Sequence, residues 1–270
     1  MSMSTAAAPS PHVRRFAPFA FVAGLSLAAW ATLALWTASP YARYVEHAGW
    51  ADAGALAALC RAIPQGDVLV PLALHALAWL LMVSAMMLPT ALPLVALFRR
   101  LVAGRDDAAG LTTRVLAGYA LAWLAFGVIA HALDALVRVA AQRSDWLALH
   151  GAWVAAFVLV GAGLFQFSAL KYRCLEQCRT PFSFVTSRWS GRAPARDAWR
   201  IGIDHGVFCV GCCWAIMLVM FVVGVGSVGW MLALAAIMAA EKNLPWGKRL
   251  RTPLGVALIG WGSLVAVGAA

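Results

Sequence analysis

The sequence predicts an all-α fold, a polytopic helical membrane protein of about seven transmembrane helices. Three observations predict it. Apolar residues make up 63% of the 270 positions and charged residues only 12%, about half the charged share of a soluble domain. Apolar runs of about 18 residues or more recur along almost the whole chain. The Lys and Arg fall between those runs rather than in a patch, so the net charge of +10 reads as topology-setting loops and not as a nucleic-acid surface.

The elements follow in order. The first residues are small and polar, and Arg14 and Arg15 precede the run Phe16–Ala38. That run is too long for a signal-peptide core and reads as a retained first helix. The second, Val68–Phe98, contains Pro89 and Pro93. Proline removes a donor, so a kink is expected there, with carbonyls that neighbours, water or an ion must satisfy. The third, Thr113–Val137, carries His131 and Asp134 one turn apart. Both are costly at membrane depth unless paired or wet. The fourth is Asp145–Leu170 and the fifth His205–Val225. The sixth, Val228–Ala240, and the seventh, Pro253–Val267, are short.

Most of the 21 Lys and Arg lie in alternate connections. This puts the N-terminus and the basic loop 171–204 in the cytoplasm of a multi-pass protein of the bacterial inner membrane. No repeat or second domain is evident, so residues 1–270 read as one membrane domain.

With that topology, the ligand-type side chains sort by depth. Cys174 and Cys178 lie just past the inner end of the fourth helix, spaced i, i+4. Cys209, Cys212 and Cys213 fall in the inner half of the fifth, with His205 one turn before them and Met217 and Met220 beyond. Met82, Met86 and Met87 fall in the middle to inner part of the second, Met82 and Met86 sharing a face with His75 and Trp79. His47, His75, His131 and His150 map to the outer side, and Glu241 and Lys242 end the sixth helix inside. Cys60 stands alone outside the membrane.

A single buried cysteine is usually a small hydrophobe, and a methionine in an apolar helix is usually packing. Three cysteines on one helical face, with a nearby pair and methionines at similar depth, point instead to a soft metal. Cu(I) prefers thiolate and thioether ligands. The expected ligand set is Cys174, Cys178, Cys209, Cys212, Cys213, Met82, Met86, Met87, Met217 and His205. Zinc is the alternative ion, through Cys174, Cys178, Cys209 and Cys212 in a closed tetrahedron. The methionines favour copper, because thioether is a poor zinc ligand.

At these residues the chain resembles a bacterial family of predicted metal-binding integral membrane proteins, mostly of unknown function. One branch of that family is linked to copper delivery during polyphenol oxidase maturation. The matching blocks are Trp79, Met82 and Ala85–Pro89 with Pro93; Lys171, Cys174-Leu175, Cys178-Arg179 and Pro181; Gly206, Cys209–Trp214 and Met217; and Trp230-Met231 with Glu241-Lys242. The family often carries a Met shortly before the Trp-Met pair, where this chain reads Gly-Val-Gly-Ser-Val at Gly224–Val228. The resemblance implies a multi-span metal-binding protein, a copper chaperone in one branch, with metal-site roles for Met86, Met87, Cys174, Cys178, Cys209, Cys212 and Cys213.

The functional expectation is therefore a non-enzymatic Cu(I) protein, a chaperone or a transfer and permease protein. Its partners are the lipid bilayer and a copper-accepting client. No nucleotide-binding loop or aspartyl-phosphate motif is present, and the last helix has no Lys for a retinal Schiff base. Two other readings stay open. One is a thiol–disulfide carrier using Cys209/Cys212 and Cys174/Cys178. The other is a structural assembly subunit whose sulfurs only pack.

Overall fold

A computed structural model describes residues 11–38, 69–144, 151–224 and 227–268. Helices account for nearly all of them, and no strand occurs among the described residues. His47, His150 and Cys60 lie outside them, as does the side chain of His75.

In chain order the helices are α1 (Pro11–Thr37), α2 (Leu69–Met86), a 3-10 turn at Pro89–Ala91, α3 (Leu92–Leu101), α4 (Ala108–Arg143), α5 (Gly151–Phe165), α6 (Ala169–Arg179), α7 (Pro181–Thr186), α8 (Pro194–Val223), α9 (Val228–Asn243), a 3-10 turn at Gly247–Leu250, and α10 (Arg251–Gly268). Among the described residues three helices are long and apolar enough to cross a membrane, at 108–141, 194–223 and 247–268. Up to five spans result if each of two bent helix pairs counts as one. The expected number of about seven is not reached among the described residues. Two of the seven expected runs are each divided by a bend, and α9 has only 16 residues.

The first bend is the one Pro89 predicts. The axes of α2 and the segment 89–101 diverge by 49°. Pro89 has no N–H to offer the carbonyl of Ala85, four residues back. Ser26 of α1 supplies the missing donor, its hydroxyl lying 2.9 Å from that oxygen. The second bend, of 63°, separates α5 from α6. The chain tightens into 3-10-type bonds at Gln166, Phe167 and Ser168. Ser168 then caps α6 by accepting from the Lys171 N–H at 3.1 Å.

The stretch expected as a basic loop, 171–204, is largely helical. It holds most of α6, all of α7 and the first turns of α8. The fifth helix begins at Pro194 rather than at His205. Proline suits a first helical turn, and Asp197 follows within that turn, where the helix dipole favours an anion. Asp197 also accepts from the backbone N–H of Ser190 and of Gly191, which closes the turn before α8. The helix is already buried at Ala198 and Ile201, before the apolar run begins, so the run does not mark its start.

α8 is the hub. Of its apolar window 61% is buried inside the protein, against 22% for α4 and 17% for α10. It packs on α4, α5, α6 and α9, while α10 pairs with α5 and α1 with α2. Small residues allow the α4–α8 contact. A Cβ at Gly202 would stand 2.2 Å from the Val115 carbonyl oxygen, and one at Gly206 would stand 2.6 Å from Ala122 Cβ. The Gly202-x-x-x-Gly206 spacing thus lets two backbones approach where bulkier residues would hold them apart.

Candidate metal centre

The site forms where the middle of α8 meets the break after α2, the helix α6 and the end of α9. Cys209, Cys212 and Cys213 project from α8 on one face because they are spaced i, i+3, i+4, and all three are about 1% exposed. Cys212 Sγ lies 3.4 Å from Cys213 Sγ and 3.9 Å from Cys178 Sγ on α6. It also contacts the Cys209 carbonyl oxygen at 3.1 Å. Cys174, one turn before Cys178, packs on Gly211. A Cβ at 211 would sit 2.6 Å from its sulfur, so glycine here admits the α6 thiol against α8.

The α2 break completes the cluster. The carbonyl of Met87 accepts a 3-10-type bond from the Thr90 N–H at 3.1 Å and further contacts from the hydroxyls of Thr90 at 2.7 Å and Tyr119 at 3.3 Å. The Tyr119 hydroxyl on α4 also lies 3.1 Å from Cys209 Sγ. Met87 itself is fully buried, with its thioether facing Lys242 at 3.8 Å. Lys242 enters from α9 and brings its ammonium within 2.8 Å of Cys209 Sγ and 3.3 Å of Thr90 Oγ1.

A polar clamp holds α9 in that position. Glu241, beside Lys242, receives both carboxylate contacts from Lys171 of α6, at 2.9 and 2.8 Å. Lys171 also donates to Gln166 at the α5–α6 bend. Arg179 at the end of α6 donates to the carbonyls of Glu241 and, at 2.8 Å, of Leu244. Unpaired charges at such burial are costly, so this network anchors the end of α9 to α6.

The expected ligands thus divide. Cys178, Cys209, Cys212, Cys213 and Met87 share one pocket, and Cys174 borders it. Met82, Met86, Met217 and Met220 are buried in the same core. They extend from the pocket along α2 and α8, as do Met231 and Met238 on α9. His205 stands to one side, with its ring against Tyr119 at 5.7 Å and Phe184 at 5.4 Å. Its Nδ1 is buried without a hydrogen-bond partner. Among the described residues no three His, Cys, Asp or Glu side chains form a ready-made cage for a metal ion. The closed four-cysteine zinc arrangement is therefore not present. Thiol and thioether are the donor types that a soft ion prefers.

Sequence reasoning missed Lys242, Tyr119 and Thr90 as parts of this site. Glu241-Lys242 did carry a signal, as a charged pair closing an apolar run. Thr90 stands next to the kinking proline. Tyr119 carried no signal, because its role depends on which face α4 turns to α8.

Fold and site define an all-helical protein with membrane-length helices around a buried thiol–thioether cluster. The chain belongs to the PpoB2 family, whose model is described as a copper chaperone and matches residues 76–265. That match includes every cysteine and methionine of the pocket. No curated protein and no solved structure gives a significant match.

Proposed function

We propose that this protein is a multi-pass protein of the bacterial inner membrane that binds Cu(I) and passes it to a client, without catalysing a reaction itself. The carrying observation is the contact of Cys178 with Cys212 and of Cys212 with Cys213, with Cys209 and Met87 joined to the same cluster through Lys242, the sulfurs coming from three separate segments. Copper is the cargo. Thiols near 3.4–3.9 Å from one another need only small side-chain rotations to share one ion. The membrane-length helices and the exposed apolar side chains Phe157, Leu164, Leu264 and Val267 support a lipid-facing exterior. The basic residues of 171–204 then face the cytoplasm, with the N-terminus on the same side. Nucleic acid has no part in this reading.

The pocket connects inward to α6 and outward to the buried methionines of α2, α8 and α9. Thioethers bind Cu(I) more weakly than thiolates, so the methionines suit transit and the thiols suit holding. The test is anaerobic titration of purified full-length protein with Cu(I) against a competing chelator. Wild type takes up copper, and Cys212→Ser abolishes high-affinity uptake. Equal uptake by Cys212→Ser would end this reading.

The 3.9 Å approach of Cys178 and Cys212 favours a second reading, a thiol–disulfide carrier. A carrier would accumulate a mixed disulfide with a partner when one of these cysteines is replaced by Ser. The copper reading predicts none.

A further inference from the structure

The sulfur cluster does not explain the ammonium in its midst. Lys242 is only 5% exposed. Its Nζ faces Cys209 Sγ at 2.8 Å, Thr90 Oγ1 at 3.3 Å and Met87 Sδ at 3.8 Å. An ammonium has three N–H donors and no acceptor, whereas a neutral amine keeps a lone pair. All three contacts can accept from an ammonium, the form a lysine side chain ordinarily carries. The Thr90 hydroxyl donates to the Met87 carbonyl, so its oxygen accepts from Lys242. A thioether can only accept. Glu241, the nearest carboxylate in sequence, is already committed to Lys171. The pocket therefore holds a positive charge fixed by the protein, against the same sulfurs that a metal ion would use.

We infer that Lys242 is the charge-selectivity determinant of the sulfur pocket, an ammonium that admits a monovalent soft cation and rejects a divalent one. The inference rests on the Cu(I) reading above. Thiol-rich sites do not by themselves distinguish Cu(I) from Zn(II) or Cd(II), since thiolates bind all three. A fixed neighbouring charge does distinguish them. Coulomb repulsion scales with the charge of the incoming ion, so a divalent cation meets twice the repulsion at the same place. Burial keeps salt from screening it.

The experiment compares Ag(I) and Cd(II) binding by full-length protein in detergent, each measured by chelator competition. Cd(II)–thiolate ultraviolet absorption gives an independent signal. Wild type prefers Ag(I). K242M raises the Cd(II)-to-Ag(I) affinity ratio by at least about tenfold, and K242R keeps the wild-type ratio. If K242M does not fold, K242Q is read in its place. An unchanged ratio in the neutral variant overturns the inference, and so does a wild-type protein that binds Cd(II) as tightly as Ag(I). A wild-type protein that takes up no monovalent cation sinks the Cu(I) reading and this inference together. Normal Cu(I) uptake that is lost in Cys212→Ser, with an unchanged ratio in K242M, sinks the inference alone.

Discussion

Lys171 and Glu241 form a bidentate ion pair between α6 and α9, with both side chains 1% exposed. The pair joins α6, which carries Cys178, to α9, where Glu241 is the residue next to Lys242. Its loss should therefore damage both stability and the site. Glu241→Ala leaves Lys171 charged and buried, at a cost of about 3–5 kcal/mol. The double change Lys171→Met with Glu241→Leu should cost less than either single change, since it leaves no unpaired charge. Thermal unfolding of the purified variants in detergent ranks them, and a double variant no better than the singles would contradict this account of the clamp.

The α2 break makes a separate prediction. Ser26 covers the Ala85 carbonyl that Pro89 leaves without its helical donor. Ser26→Ala should destabilise by about 1–3 kcal/mol, the usual penalty for orphaning a buried polar group. Pro89→Ala restores an N–H at position 89, so Ser26→Ala should cost less in that background. A double-mutant cycle of unfolding midpoints measures the coupling, and strict additivity would show that Ser26 does not serve the break.

Glycines separate a stability effect from a site effect. Gly202→Ala drives a Cβ toward the Val115 carbonyl, a backbone atom that cannot swing away. It should cost about 1–3 kcal/mol or more. Gly211→Ala pushes instead on the Cys174 sulfur. It should leave the fold largely intact while weakening Cu(I) binding by about tenfold, roughly 1.4 kcal/mol. Gly161→Ala has open space around its Cβ and should be neutral or slightly stabilising. Unfolding midpoints and Cu(I) competition, read on all three, distinguish the cases.

Tyr119 links α4 to the cluster through one hydroxyl, which reaches Cys209 Sγ and the Met87 carbonyl. Tyr119→Phe keeps the ring and removes that link. Stability should fall by about 0.5–1.5 kcal/mol, and Cu(I) affinity should change far less than in Cys212→Ser. A Tyr119→Phe protein that loses copper altogether would make the hydroxyl part of the ligand set, which the account denies.

Much of this was legible in the sequence, and for identifiable reasons. Apolar composition exposed the helices, and Pro89 exposed the break, because a missing N–H has the same consequence in any fold. The i, i+3, i+4 spacing put Cys209, Cys212 and Cys213 on one face before any neighbour was known. What stayed hidden depends on which helices adjoin. Nothing in the spacing says that Lys242 reaches Cys209 across 33 positions, or that Tyr119 meets it across 90. The bend at Gln166 was hidden as well. It has no proline to mark it, and what fixes it is the contact of Gln166 with Lys171 and, through Lys171, with Glu241. The expected helix start at His205 failed because 194–204 mixes charged residues with the buried Ala198 and Ile201, so the helix continues there without an unbroken apolar run.

The most direct measurement of the central claim is copper X-ray absorption on the Cu(I)-loaded full-length protein. The account predicts a first shell of sulfur alone, from thiolates of α6 and α8 with a thioether contribution, and its loss in Cys209→Ser and Cys212→Ser. A shell dominated by nitrogen or oxygen, or a spectrum unchanged by those substitutions, would contradict it.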